Sequence, residues 1–90
     1  MESIEKLVLD LGGSNFVTLD KVVAILENKS SGVKRFVREL RELQKEVDCT
    51  GGRKCRSIVV IETAASGVYG FKSFLTSSKL QSRLPSKASE

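Results

Sequence analysis

The stretch from Ser30 to Val47 constrains this chain most, because it carries two helical stripes at once. Apolar side chains recur there at the i, i+3, i+4, i+7 spacing that lines one face of a helix with 3.6 residues per turn. Basic side chains recur at steps of four, three and four residues and form a second stripe beside the first. The pattern predicts a helix over 30–47 with one buried face and one positive, solvated face. The apolar positions are Val33, Phe36, Val37, Leu40, Leu43 and Val47, and the basic positions are Lys34, Arg38, Arg41 and Lys45, with Arg35 near the N-terminal end.

The basic stripe allows two interpretations. A helix with Lys and Arg along one side can lie on a polyanion, where its cations meet phosphates or guanine edges. The same helix also contains glutamates, and Arg35 with Glu39 and Arg38 with Glu42 stand at the i, i+4 spacing of ordinary solubilising ion pairs. The helix alone leaves both interpretations open, so the rest of the chain has to decide.

Charge is distributed unevenly along the 90 residues. Residues 1–28 carry two basic and five acidic side chains, residues 29–56 nine and four, and residues 57–90 four and two, which gives −3, +5 and +2 and a net charge of +4. A basic middle third is the electrostatic pattern of a nucleic-acid binder. Histidine is absent, which removes the usual catalytic base, and two cysteines do not complete a four-ligand zinc site. We therefore expect a protein that is not an enzyme and needs no metal or cofactor.

The length suits one domain with a single core. No apolar run approaches the roughly 18 residues of a membrane span, and no signal-peptide pattern begins the chain. We expect a cytoplasmic, nucleoid-associated protein with a single domain over 1–80 and a polar, flexible tail over 81–90.

The segments before the central helix predict two further helices. One covers about 3–11 and ends at Gly12, and a short extended piece follows at 15–17. The second covers about 19–28, and only a few residues separate it from the central helix. Two helices joined by so short a turn have helix-turn-helix geometry.

Beyond the central helix, residues 55–62 are rich in β-branched side chains and predict a strand. The simplest pairing is a hairpin with 47–50 across a glycine turn at 51–54. A rival pairing joins 57–63 to 68–75 and makes 49–55 a loop. The simplest pairing also leaves a short apolar helix within 66–80, which packs either on a second copy, as a homodimer, or on the chain's own first helix.

Cys49 and Cys55 flank the glycine turn. Placed opposite each other on a hairpin, their Cβ atoms reach the separation of about 3.5–4.5 Å that a disulfide needs. Reduced thiols are the ordinary state in a cytosol, and a disulfide is the alternative.

The order helix, short strand, helix, turn, basic helix and hairpin with a basic tip resembles winged-helix DNA-binding domains. The resemblance rests on 16–19 entering the second helix, on the apolar stripe of the third, and on the tip at 50–54, and it covers about 3–62. Small archaeal, viral and plasmid transcription regulators use this fold. It implies an α+β, winged helix-turn-helix domain with three helices, a β-hairpin wing and an added C-terminal helix.

The resemblance also implies a function: binding of double-stranded DNA by a homodimeric transcriptional regulator, with no small-molecule ligand evident. The central helix would enter the major groove and the hairpin tip would act as the wing. The positions that match these parts are Ser31, Lys34, Arg35, Arg38, Arg41, Lys45, Arg53, Lys54 and Arg56.

Two other functions fit the same pattern. The chain could be a protein-interaction or DNA-organising module of a plasmid, viral or segregation complex, in which the basic helix meets an acidic partner. The second, binding of single-stranded nucleic acid or RNA, fits less well, because the aromatic residues that would stack on the bases cluster towards the C-terminus, away from the basic helix. Phosphate contacts would make affinity fall steeply with salt, which separates DNA binding from protein docking.

Overall fold

The structure, a computed structural model, describes residues 8–84 as two β-sheets and two α-helices. Its strands are β1 Val8–Gly12, β2 Asn15–Thr18, β3 Val22–Glu27, β4 Glu46–Asp48, β5 Ser57–Thr63 and β6 Gly67–Ser73, and its helices are α1 Ser31–Glu42 and α2 Ser77–Ser82, with one 3₁₀ turn at Leu19–Lys21. The predicted winged helix-turn-helix is therefore wrong, because most of the regular structure is β.

The larger sheet has four strands in the order β3-β5-β6-β4. The β3–β5 and β5–β6 pairs are antiparallel, whereas β4 lies parallel to β6 at the edge. Helix α1 connects β3 at one edge to β4 at the other and so crosses the sheet. Strands β3 and β4 therefore run in the same direction at opposite edges, and such strands need a crossover connection, which is why the basic helix lies on a sheet face.

The two faces of β5 carry different layers. Ile58 and Val60 pack with Val37 of α1. Val59 points to the other face and belongs to a second core, which includes Leu9. Successive strand residues point to opposite faces, so an unbroken apolar run buries both. The β1–β2 hairpin and α2 form the layer opposite α1 through Leu9, Leu11, Val17 and Leu80.

Helix α1 confirms a predicted helix but ends earlier than predicted. Ser30 caps its start by accepting a hydrogen bond from the Val33 N–H at 3.1 Å. At its end Gln44 has φ +60°, and the Lys45 N–H donates to the Leu40 carbonyl at 2.8 Å. This left-handed cap stops the helix at Glu42. The predicted core positions beyond it are exposed: Leu43 is 65% and Val47 36% accessible.

The predicted first helix is wrong for the residues that the structure describes. Residues 8–11 belong to β1, in which Leu9 and Leu11 are buried and Asp10 between them is exposed. That alternation is the strand period, and the stripe of a helix does not fit it. Residues 3–7 of the prediction lie outside the described part of the chain.

The predicted second helix is strand β3. Its residues pair with β5, with Ile25 opposite Val59 and Leu26 opposite Ile58. A short apolar run suits a helix or a strand equally. Here the pairing with β5, which is rich in β-branched residues, makes this segment a strand. Without this helix there is no helix-turn-helix.

The predicted wing is also wrong. Strand β4 pairs with β6 and not with β5, so residues 49–56 connect two strands that are not neighbours. The rival pairing is right: β5 and β6 form an antiparallel hairpin from Ser57 opposite Ser73 to Thr63 opposite Gly67. The predicted C-terminal helix is strand β6 followed by the short α2.

The segment at 66–80, predicted to pair copies, lies within the fold of one copy. Gly70 is buried beneath α1, and Leu80 of α2 is fully buried. Helix α2 continues to Ser82, and Leu84 packs against the core. Residues 85–90 of the predicted tail lie outside the described residues. Neither helix within 8–84 has the length and apolar character needed to cross a membrane.

Candidate nucleic-acid interface

Residues 49–56, here called the basic loop, form a fixed turn. Gly51 and Gly52 have φ of +63° and +86°, and the Arg53 N–H donates to the Thr50 carbonyl at 3.2 Å. Two consecutive positive φ values favour glycine, which has no Cβ to clash with the backbone, and this explains the glycine pair. Asp48 holds the turn from its start, because its Oδ1 accepts from the Thr50 N–H at 2.9 Å and from the Thr50 hydroxyl at 2.6 Å. These bonds lower the pKa of Asp48.

The other end of the basic loop is tied to the end of β6 and to Asn28, the residue after β3. The Asn28 N–H donates to the Arg56 carbonyl at 3.0 Å, and the Asn28 side chain donates to the Cys55 carbonyl at 3.1 Å. The Arg56 N–H donates to the Ser73 carbonyl at 2.9 Å. The loop is therefore part of the sheet's end, and its cations have fixed backbone positions.

The basic loop meets α1 along two neighbouring clefts that share Asn28 and Cys55. The first, of about 160 Å³, lies between α1 and the sheet, and the second, of about 180 Å³, lies between the loop and the start of α2. Cations from four elements line them. Those of the first cleft are Lys34, Arg41 and Lys72, and those of the second are Lys29, Lys54 and Arg56.

Four of the nine predicted site residues line these clefts. Lys34 and Arg41 line the first cleft, and Lys54 and Arg56 line the second. Ser31, Arg35 and Arg38 are exposed on α1, and Arg38 continues the stripe of Lys34 and Arg41.

Two predicted site residues have aromatic partners. Lys45 is half-buried, lies 5.9 Å from the Tyr69 ring centroid and donates to the Ser66 carbonyl, so it faces the β5–β6 turn. Arg53 is exposed and lies over the ring of Phe74 at 4.5 Å.

Glu46 is the counter-ion of the first cleft. Its carboxylate accepts from Arg41 Nε at 3.3 Å and Nη2 at 3.1 Å, and it lies 3.7 Å from Lys72 Nζ. The pairing with Glu46 raises the pKa of Arg41. The Glu46 side chain is only 13% accessible and that of Arg41 is 60% accessible. The carboxylate is thus held in place, whereas the guanidinium can leave it for another anion.

The cysteines are free thiols. Cys49 belongs to the core of the β1–β2 face and Cys55 to the core beneath α1, so the predicted hairpin that would oppose them does not exist. Burial raises the pKa of both thiols. Among residues 8–84, no group of three histidine, cysteine or carboxylate side chains could hold a metal ion.

Sequence reasoning missed four residues of the interface: Asn28, Lys29, Glu46 and Lys72. The position of Lys72 could have been predicted from the strand period, because it lies on the same face of β6 as Gly70 and opposite Ile58 in the register. That prediction depends on the β5–β6 pairing. The contact of Glu46 with Lys72 depends on the parallel β4–β6 pair, which no local pattern indicates.

Residues 8–84 match the sequence model of the RemA-like family, described as extracellular matrix regulatory protein A-like. The chain belongs to this family. The match replaces the resemblance to winged-helix domains, which is wrong, and it agrees in extent with the described fold.

Several curated relatives are similar to this RemA-like chain, and each match covers only part of the chain and part of the relative. A protein of Leptospira biflexa is 41% identical over 56 residues, or 62% of this chain and 60% of the relative. A protein of Thermodesulfovibrio yellowstonii is 35% identical over 57 residues, or 63% and 67%. A protein of Rippkaea orientalis is 31% identical over 64 residues, or 71% and 70%. All three have names that describe a regulatory protein, and the family description has the same sense.

Proposed function

We propose that this regulatory protein binds double-stranded DNA through the basic loop and the exposed basic side of α1, and acts at the nucleoid as a transcriptional regulator. The family description and the names of the relatives support the regulatory part. The DNA part rests on the surface of this chain.

The observation that supports DNA binding best is the convergence of cations at the two clefts. Side chains from α1, the basic loop, β6 and the β3–α1 turn meet there, although they are up to 43 positions apart in the chain, from Lys29 to Lys72. Cations spread over one surface can follow the phosphates of a duplex, which lie along both strands. The fixed backbone of the loop reduces the entropy lost when these side chains bind.

The mode of binding differs from that of a winged helix. Two residues of α1, Val37 and Leu40, are buried against the sheet, so the helix presents only the side that bears Lys34, Arg38 and Arg41. The basic loop borders that side, since its Cys55 lines the same cleft as Lys34 and Arg41. A duplex would therefore run along the cleft between helix and loop, with most contacts to phosphates.

The test is duplex binding by fluorescence anisotropy at several salt concentrations, with random-sequence DNA and with the upstream region of the protein's own gene. We expect affinity to fall log-linearly with salt, by a slope of about −0.9 for each phosphate contacted. Arg38→Ala combined with Arg53→Ala should lower affinity at least about tenfold at low salt, since each removes a phosphate contact.

A matched control separates this surface from net charge. Lys54→Ala and Lys21→Ala both remove one exposed lysine, but Lys21 lies before β3, at the end of the strand remote from the loop. Lys54→Ala should weaken binding and Lys21→Ala should leave it nearly unchanged. Equal effects, or no duplex binding at any salt concentration, would rule out this surface as a DNA site.

We also propose that the protein self-associates, at a place other than 66–80. Both edge strands of the four-stranded sheet have exposed apolar side chains, Val23 on β3 and Val47 on β4, with Leu43 beside β4. Open edges with apolar side chains favour pairing with another copy. Light scattering after size-exclusion chromatography should give a mass above 9.9 kDa that falls with Leu43→Ser. A monomeric wild-type protein would contradict this proposal and leave DNA binding to be judged separately.

A further inference from the structure

Arg53 stands apart from the other cations of the interface because an aromatic ring supports it. Its guanidinium carbon lies 4.5 Å from the centroid of the Phe74 ring. Among the ion pairs of residues 8–84, which involve Arg41, Lys72 and Arg83, Arg53 takes part in none. Its one described side-chain partner is thus the face of an aromatic ring.

The ring itself has a rigid support. Gly12, with φ +90°, lies close to it, and a Cβ built at that position would be 2.7 Å from Phe74 Cζ and 3.0 Å from Cε2. Ser73, the residue before Phe74, donates from its hydroxyl to the Leu11 carbonyl at 2.8 Å and accepts from the Leu75 N–H at 3.1 Å. The β1–β2 hairpin therefore packs against the ring, and the hydrogen bonds of Ser73 hold the backbone beside it.

The backbone of Arg53 is fixed as well, by the turn from Thr50 to Arg53. With both the backbone and the ring in place, the guanidinium lies over the ring face. Stacking uses the face of the guanidinium and leaves its N–H groups along the edge free to donate. A planar fork of donors suits two acceptors side by side, as in a phosphate or in the O6 and N7 atoms of guanine.

We propose that Phe74 is a positioning residue for DNA binding, which holds the guanidinium of Arg53 in the orientation that makes a bidentate contact with a phosphate or a guanine edge. The proposal rests on the proposed function and adds a residue from outside the basic loop to it. It also makes Lys54, the neighbouring exposed cation for which the structure gives no aromatic contact, a natural comparison.

The first arm of the test needs no DNA. In nuclear magnetic resonance spectra of the full chain, the ring current of Phe74 should shift the Arg53 Hδ and Nε–H resonances upfield. Phe74→Tyr should keep these shifts and Phe74→Leu should abolish them. Unshifted resonances in the wild-type protein would overturn the positioning role, whether or not the protein binds DNA.

The second arm is a double-mutant cycle on duplex affinity, which removes any general effect of Phe74 on the fold. Phe74→Leu should weaken binding about three- to fivefold in the wild-type background, the size of a cation–π contact. It should have no effect beside Arg53→Ala, and it should keep its full effect beside Lys54→Ala. Phe74→Tyr should bind as the wild type does.

The outcomes separate the two proposals. Equal losses on all sequences would assign the Arg53 contact to phosphate, and a loss confined to one sequence would assign it to guanine. An effect of Phe74→Leu that persists beside Arg53→Ala would overturn the proposal, because Phe74 would then act through the fold. If the wild-type protein binds no duplex, the proposed function fails, and the first arm still decides whether Phe74 positions Arg53.

Discussion

Leu40 of α1 lies directly against Gly70 of β6: a Cβ built at Gly70 would be 2.5 Å from Leu40 Cδ1 and 3.3 Å from Ile58 Cγ2. The missing side chain lets the helix approach the sheet closely at this point. The position of α1, and with it of Lys34 and Arg41, therefore depends on a glycine in a strand, where glycine otherwise weakens the pairing.

Gly70→Ala should destabilise the fold by about 1–3 kcal/mol, because the added methyl group must displace Leu40 or Ile58. Urea unfolding followed by circular dichroism measures the change. Gly32→Ala is the control, since a Cβ there meets only Ser30 Oγ at 3.9 Å and lies in a helix, where alanine is favoured by up to about 1 kcal/mol. A neutral Gly70→Ala would mean that α1 does not lie this close to the sheet.

Glu46→Gln should raise duplex affinity about three- to tenfold at low salt. The slope of log affinity against log salt should become steeper by an amount that corresponds to about one to two additional phosphate contacts. The change frees Arg41 and Lys72, which the carboxylate now neutralises. The measurement is the anisotropy titration described above.

Glu42→Gln is the matched control for Glu46→Gln. Glu42 is exposed on α1 and is absent from the ion pairs of residues 8–84, so its substitution makes the same change in net charge without freeing a cation. An equal gain from both substitutions would mean that net charge alone governs affinity.

Asp48 should contribute to stability in a pH-dependent way. Hydrogen bonds from Thr50 lower its pKa in the folded state. Between the folded and the unfolded pKa, the carboxyl group of the unfolded chain therefore binds more protons than that of the folded chain. The contribution is then complete above the unfolded pKa of about 4 and is lost as the pH falls through the folded pKa. Urea unfolding from pH 6 to pH 2 should give a stability difference between the wild type and Asp48→Asn that shrinks towards acid. A difference independent of pH would contradict the prediction.

The two thiols should differ in reactivity with iodoacetamide. Cys55, which is half-buried, should react before Cys49, which is 8% accessible. Both should react more slowly than in the unfolded chain, because burial raises their pKa and lowers the thiolate fraction. Mass spectrometry of the labelled protein follows each site. Fewer than two reactive thiols after denaturation without reductant would restore the disulfide as the alternative.

The sequence by itself determined the local features of this protein. The stripe over 30–47 predicted helix α1, and the glycines at 51 and 52 predicted a turn with basic residues. It also determined the basic middle third, from which the candidate interface was predicted. These features depend on residues within a few positions of one another, so the period and the turn chemistry are enough.

Only the tertiary structure decided the strand order and therefore the fold. Residues 22–27 are apolar enough for a helix or a strand, and pairing with β5 across about 30 residues makes them a strand. The parallel β4–β6 pair brings Glu46 to Lys72, and the three layers bring Phe74 beneath Arg53. Such contacts gain their energy from partners distant in the chain, which no local pattern encodes. The sequence thus determined which side chains carry the charge, and the packing of the sheet decided which of them meet.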